Sequence, residues 1–356
     1  MPRIALETTT GSESFAYTIS TPTQDRAERI AQGVPTILLI HPSYTLSAIF
    51  HPMYEDPRLR RFNLVAMDLR GHGGTSAKVE DTYTTEVAAH DCLKLMDALG
   101  ISEYHVAGVS MGASVALQMA IQAPQKILSL FLLSPPPLTE PADSIEGRQE
   151  IYECWKHGFE NDDKEAVGDG VVGGLQMAYN NTETPFSKAC VVNADSPLIT
   201  LLNLTELIFG ASLTAVTMDT DTRNWASNFD VMYTVTVRYL QNQKPHAAAD
   251  LARIRCPVLL LHCNGDIVYT RESAEELLAL LRSVHVDARL DILEGAPHYG
   301  NVTHANKANA MLYDFVLANA PEDLPESPNS PRSPFLEQFA AFGLTDDDDE
   351  TDSDEE

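Results

Sequence analysis

The sequence predicts an α/β protein: a mainly parallel, doubly wound sheet with a helical lid inserted into it. Three observations lead there. Continuous apolar β-type runs alternate with helical stretches, as in a sheet covered by helices on both faces. The alternation stops near residue 137 and resumes near residue 250, so a helical segment interrupts one sheet. Polar residues gather directly after the apolar runs, where open parallel sheets build their sites.

The first buried run is PTILLIH (35–41) and the second is FNLVAMDL (62–69), which closes in the turn-rich RGHGGTS. A helical pattern spans 83–99, with Val87, Ala88, Cys92, Leu95, Met96 and Leu99 as its apolar positions. The strand YHVAGV follows, then Gly108-Val109-Ser110-Met111-Gly112, then a helix to about Ala123. ILSLFLLS (127–134) is the next strand, and Pro135-Pro136-Pro137 stops it. From Leu138 to about Ala249 helical segments dominate, among them 144–157, 196–209 and 222–241. The rhythm then returns as a strand (256–263), a helix (271–284), a strand (287–295) and a helix (305–319). The expected organisation is one core in two parts, 1–137 and 250–320, around a lid at 138–249.

Residues 321–356 are different. PEDLPESPNSPRSP is rich in Pro and Ser, and DDDDETDSDEE holds nine acids in eleven residues. Such a segment buries too little apolar surface to offset its ordering entropy, so it is expected to be a disordered acidic tail. Within it, FLEQFAAFGL (335–344) sets Phe335, Leu336, Phe339 and Phe342 on one face of a short helix. That face leaves a docking contact with the body or a partner protein open beside a purely solvated tail.

The chain has 356 residues and a net charge of -27. That charge speaks against nucleic acid, whose phosphates need Lys and Arg, and against anionic membrane surfaces. The N-terminus MPRIALETTTGSESFAYTIS has no apolar core of signal-peptide length and no stretch approaches a membrane span, and a cytoplasmic protein is expected. Five cysteines without C-x-x-C spacing suit reduced thiols. The sequons at Asn180, Asn203 and Asn301 are then coincidental.

A serine between two glycines at a strand-to-helix junction has two readings. The glycines allow close packing, or the turn presents a nucleophile. A serine hydroxyl needs a neutral imidazole to take its proton, and the imidazole needs a carboxylate to orient it. Ser110, Asp266 and His298 each follow a predicted strand, in that order. Taken singly, Asp266 also reads as a turn former and His298 as a loop histidine. His41 and His72 lie in turns, His105 and His262 lie inside apolar strands, and His304 starts a helix.

Taken together, DLRGHGGTS, HVAGVSMGASVALQMA, CPVLLLHCNGDIVYT and GAPHYGNV resemble the α/β-hydrolase fold family over about residues 35–318. The resemblance implies Ser110 as nucleophile, His298 as general base and then acid, and Asp266 as the orienting carboxylate. It implies an oxyanion hole from the backbone N–H groups of Met111 and Ser43, with Tyr44 as second choice for the latter. His41-Pro42-Ser43 departs from the His-Gly-x of many relatives, and Ala113 stands where they often have Gly. Asp68 is expected to organise the RGHGG turn. Neither cofactor nor metal is implied.

The expected function is a serine hydrolase cleaving a small, mostly apolar carboxylic ester or lactone. Carbon–carbon bond hydrolysis or a lyase reaction on the same groups, and a noncatalytic small-molecule receptor, remain as alternatives. GASLTAVTMD (210–219) with Phe209, Trp225, Phe229, Tyr233 and Tyr239 reads either as an apolar substrate pocket or as packing within the lid.

Overall fold

A computed structural model describes residues 1–180, 224–320 and 323–340. Its strands are β1 (Arg3–Thr8), β2 (Gly11–Ser20), β3 (Thr36–Ile40), β4 (Asn63–Met67), β5 (Tyr104–Val109), β6 (Ile127–Leu133), β7 (Val258–Cys263) and β8 (Ala288–Leu293). They form one eight-stranded sheet in the order β1-β2-β4-β3-β5-β6-β7-β8. β1–β2 and β2–β4 pair antiparallel, and every later pair is parallel.

The apolar runs of the sequence become the central strands because both sheet faces are covered. Leu38, Ile40, Val106, Leu130, Leu132 and Leu260 join one core cluster. Their neighbours Ile37, Leu39, Ala107, Phe131, Leu133 and Leu261 join the other. Alternate residues of one strand thus feed opposite layers, as the period of two requires. Helices α1 (Thr85–Ala98) and α2 (Met111–Gln122) supply the first cluster. Of the later helices α5 (Arg271–Ser283) and α6 (Ala305–Leu317), the latter supplies the second.

The β1–β2 hairpin has no counterpart among the sequence expectations. β1 is the sheet edge and carries mixed polarity, whereas β2 lies between β1 and β4 and buries Phe15 and Ile19. β1 buries only Leu6.

The connection from β6 to β7 contains α3 (Ala142–Asn161) and α4 (Lys164–Tyr179). Asp163 starts α4 by accepting from the Glu165 and Ala166 N–H groups at 3.1 and 3.2 Å, an N-cap. Two glycines of α4 serve packing. A Cβ at Gly170 would stand 2.6 Å from the Trp155 ring, and one at Gly173 2.9 Å from Ile151. A further helical run covers Phe229–Tyr233, Thr234–Arg238 and Tyr239–Gln241. The expected helix at 196–209, the segment 210–219 and Phe209 lie outside the described residues, as do Cys190 and Asn203.

The expectation of a disordered tail is corrected for residues 323–340. Phe335 and Phe339 are buried, and α7 (Leu336–Ala340) carries the second of them. Their rings meet Tyr54 and His51 edge-on at 5.4 and 5.2 Å. Arg26 binds the Pro334 carbonyl and Glu337, while Arg60 binds the Arg332 carbonyl. Two aromatic anchors, the buried Arg60 and the exposed Arg26 contacts outweigh the Pro, Ser and acidic composition that argued for disorder. The acidic run itself, 341–356, lies outside the described residues.

Candidate active site

Ser110 joins β5 to α2 with φ 50° and ψ −119°, a conformation that L-residues rarely adopt and that the surroundings must hold. Its N–H donates to the Leu133 carbonyl (2.9 Å), and its own carbonyl accepts from Ala113 N–H (2.8 Å). The flanking glycines are required by distance. A Cβ at Gly108 would lie 2.2 Å from the Gly112 carbonyl oxygen, and one at Gly112 2.1 Å from that of Ile40. Close packing therefore accounts for the glycines and leaves the serine hydroxyl to be explained.

That hydroxyl lies 2.9 Å from His298 Nε2, and His298 Nδ1 lies 2.6 Å from Asp266 Oδ2. The other oxygen of Asp266 accepts from the N–H groups of Val268 (2.8 Å) and Tyr269 (3.1 Å). This clamp turns Oδ2 toward the imidazole. The partners fix the tautomer: Nδ1–H donates to the carboxylate, and the Nε2 lone pair faces the serine. Ser134 Oγ donates to the His298 carbonyl at 2.9 Å, and Tyr269 packs on the ring edge-on at 5.2 Å. Ser110 and His298 are buried, at 2% and 3% exposure. The three residues expected from sequence are thus brought together from β5, β7 and the loop after β8. The chemistry open to such a group is transfer of the serine proton to nitrogen as the oxygen attacks an electrophile.

The loop after β3 is set beside this group. Tyr299 Oη donates to the Ser43 carbonyl (2.7 Å), and Ser43 Oγ reaches Met111 Sδ (3.5 Å). The Pro42 carbonyl accepts from His41 Nδ1–H (2.9 Å) and Thr45 Oγ1 (3.1 Å), which tightens the turn. Tyr44 has φ 62°. Among the described residues, the N–H groups of Ser43, Tyr44 and Met111 donate to no protein acceptor. Met111 also opens α2, whose positive dipole end favours developing negative charge there.

The other histidines take structural places. His41 Nε2 accepts from the Leu69 N–H (3.0 Å), and burial lowers its pKa to about 4. His72 Nδ1 donates to the Arg70 carbonyl, and burial, with His41 adding to it, lowers its pKa to about 3. His105 pairs with Ser129 inside the sheet (2.8 Å). His262 is buried, and His304 caps α6. Asp68 accepts from Ser47 N–H, Ser47 Oγ and Gly74 N–H, so it ties the RGHGG turn to the loop after β3.

Among the expected lid aromatics, Trp225 donates its N–H to the Gly71 carbonyl and meets the Trp155 ring at a tilt and the His72 ring edge-on. Tyr239 packs on Tyr83, and Tyr233 on Tyr152.

Sequence reasoning missed the buried polar group around Tyr44, namely Glu140, Arg148 and Tyr269, the last packed on the His298 ring. Tyr269 Oη donates to Glu140 at 2.9 and 3.1 Å, and Arg148 Nε donates to the same carboxylate at 3.2 Å. Burial works against the Arg148 charge, but Tyr269, Tyr44, Glu140 and Tyr299 around it outweigh that and raise its pKa. An acid just before α3 and an arginine within it were the available signal. Among the described residues, no three His, Cys, Asp or Glu side chains are grouped to hold a metal ion. No described helix is long and apolar enough to cross a membrane.

Comparison with known proteins sets this geometry in context. The family model for the alpha/beta hydrolase fold matches residues 35–165. The dihydrolipoyllysine-residue acetyltransferase component of the acetoin cleaving system of Cupriavidus necator is 42% identical over 110 residues, 31% of this chain and 29% of that protein. The chain spans about a third of the length of the curated relatives it matches. A thermophilic esterase from Thermogutta terrifontis superposes with a TM-score of 0.64 at 15% identity, covering 90% of this chain and 100% of that one. The enol-lactonase from Burkholderia xenovorans LB400 superposes at 0.61 and 19%, covering 88% and 99%.

Proposed function

Because this chain belongs to the α/β-hydrolase fold family, we propose that it is a serine hydrolase cleaving a carboxylic ester or lactone through an acyl-enzyme. The observation that carries this reading is the continuous set of hydrogen bonds from Ser110 Oγ through His298 to Asp266, at 2.9 and 2.6 Å. In the first half-reaction Ser110 attacks the carbonyl while His298 Nε2 takes its proton, and Asp266 stabilises the imidazolium. His298 then gives that proton to the leaving alcohol oxygen. In the second half-reaction water repeats the attack on the acyl-serine with His298 as base. The oxyanion accepts from the N–H of Met111 and of Ser43, or of Tyr44 in its place, and the segment 138–249 covers the serine as a lid. The superposed esterase and enol-lactonase support the ester or lactone as substrate.

The test is labelling by a fluorophosphonate probe together with turnover of p-nitrophenyl acetate. Wild type is expected to do both. Ser110→Ala is expected to be folded by circular dichroism, unlabelled, and at least about 10⁴-fold slower. Wild-type turnover by folded Ser110→Ala would overturn the assignment.

A further inference from the structure

Arg148 brings a cation from the lid to the edge of the Ser43–Tyr44 loop. Its surroundings are lopsided. On one side Nε binds Glu140, a carboxylate that also accepts from Ser144 Oγ (2.6 Å) and twice from Tyr269 Oη. On the other side Nη1 is buried and has no partner. The Tyr44 hydroxyl is buried beside the Arg148 guanidinium, whose carbon lies 5.5 Å from the Tyr44 ring centre, and its proton finds no acceptor within hydrogen-bond distance. Trp155 Nε1 also lacks an acceptor, but it faces Gly170 inside the lid and does not belong to this group.

Buried donors are nearly always satisfied, and a charged one left bare is costly. The Tyr44 proton and the adjoining guanidinium edge, next to the loop proposed to hold the reacting carbonyl, call for an acceptor that arrives with the substrate. A guanidinium edge and a phenol O–H together match the two oxygens of a carboxylate. The body of the protein carries a strong negative charge, so an anionic substrate needs such a local cation to be held. Glu140 balances Arg148 while the site is empty, which lets the cation stay charged in a buried place.

We propose that Arg148 and Tyr44 bind a carboxylate on the acyl part of the substrate, making half-esters or lactones of dicarboxylic acids the preferred substrates. This rests on the serine-hydrolase reading for its chemistry, but the binding can be measured without turnover.

Titration calorimetry with glutarate tests it on the whole chain. Wild type and Ser110→Ala are expected to bind glutarate equally. Tyr44→Phe removes only the hydroxyl and should weaken binding severalfold; Arg148→Gln should weaken it about tenfold to hundredfold. Because Arg148→Gln strands Glu140, the double variant Glu140→Gln/Arg148→Gln is measured beside it, with near-ultraviolet circular dichroism as the check on folding. In parallel, the ratio of kcat/KM for p-nitrophenyl hydrogen glutarate to that for p-nitrophenyl butyrate should fall by the same factors. Absence of glutarate binding by wild type, or unchanged binding and ratio in Tyr44→Phe and the double variant, overturns the carboxylate site and leaves the hydrolase reading standing. Variant-dependent glutarate binding with no probe labelling and no ester cleavage does the reverse: the site stands and the hydrolase reading fails.

Discussion

Replacing Asp266 with Asn exchanges one oxygen for an amide nitrogen, and the surrounding hydrogen bonds dictate how the amide must sit. The Val268 and Tyr269 N–H groups both point at Oδ1, 2.8 and 3.1 Å away. A nitrogen cannot accept from them, so the amide oxygen stays at that position and the NH₂ is driven toward His298. Nδ1 must then accept rather than donate. The ring proton moves to Nε2, 2.9 Å from Ser110 Oγ, where a lone pair is needed. The expected loss is about 10⁴-fold in kcat, the size found for the equivalent exchange in a serine protease, or about 5 kcal/mol in the barrier. Both backbone contacts survive, so the fold should survive as well. The assay is kcat/KM with p-nitrophenyl acetate, with the fluorophosphonate labelling rate and the melting temperature measured on the same samples. Asp266→Ala leaves the tautomer free and should retain more activity than Asp266→Asn. An Asn variant within tenfold of wild type would refute the tautomer argument and require another acid.

Gly112→Ala should leave little folded protein, because its Cβ would press on the Ile40 backbone. Gly168→Ala, where nothing lies within 4 Å inside a helix, should raise stability by about 0.5–1 kcal/mol; equal melting temperatures for the two variants would contradict this. Burial lowers the pKa of His105 to about 4, whereas an unfolded histidine titrates near 6.5. The unfolded chain therefore binds protons that the fold refuses, and stability is full above about pH 6.5 and lost toward pH 4. His105's share is about 2.5 kcal/mol between pH 7 and 4.5. His105→Leu should flatten the loss measured by urea unfolding, and parallel curves for the two proteins would count against a neutral buried imidazole. Phe335→Ala should cost about 3–5 kcal/mol in chemical denaturation while kcat per folded molecule stays unchanged; a loss under about 1 kcal/mol would mean the ring is not anchored.

How far the sequence can be read depends on how local each signal is. PTILLIH, YHVAGV and CPVLLLHC are apolar at nearly every position because both sheet faces are covered, so they announce themselves. Ser110, Asp266 and His298 are legible because strand ends locate sites in this kind of sheet. α4 is not. Its glycines disfavour a helix, and the reason for Gly170 and Gly173 shows only when Trp155 and Ile151 are seen pressed against them. Arg148 and Glu140 escape sequence reasoning because no spacing along the chain tells which lid side chains will meet Tyr44. Phe335 and Phe339 share a face by their spacing, but only their partners, Tyr54 and His51 from far earlier in the chain, show that the face is occupied.

The interruption between β6 and β7 has a consequence for how such a chain can change. β6 and β7 pair in register from Leu130–Val258 to Leu133–Leu261 although roughly 120 residues separate them in the chain. Closure entropy grows only logarithmically, so lengthening a ten-residue connection about twelvefold costs roughly 2 kcal/mol. The ladder that sets Ser110 against His298 is therefore almost indifferent to how much polypeptide is stored in the excursion. Insertions, deletions and new side chains can accumulate there while the reacting atoms keep their spacing. Change in that segment is change that the sheet hardly notices.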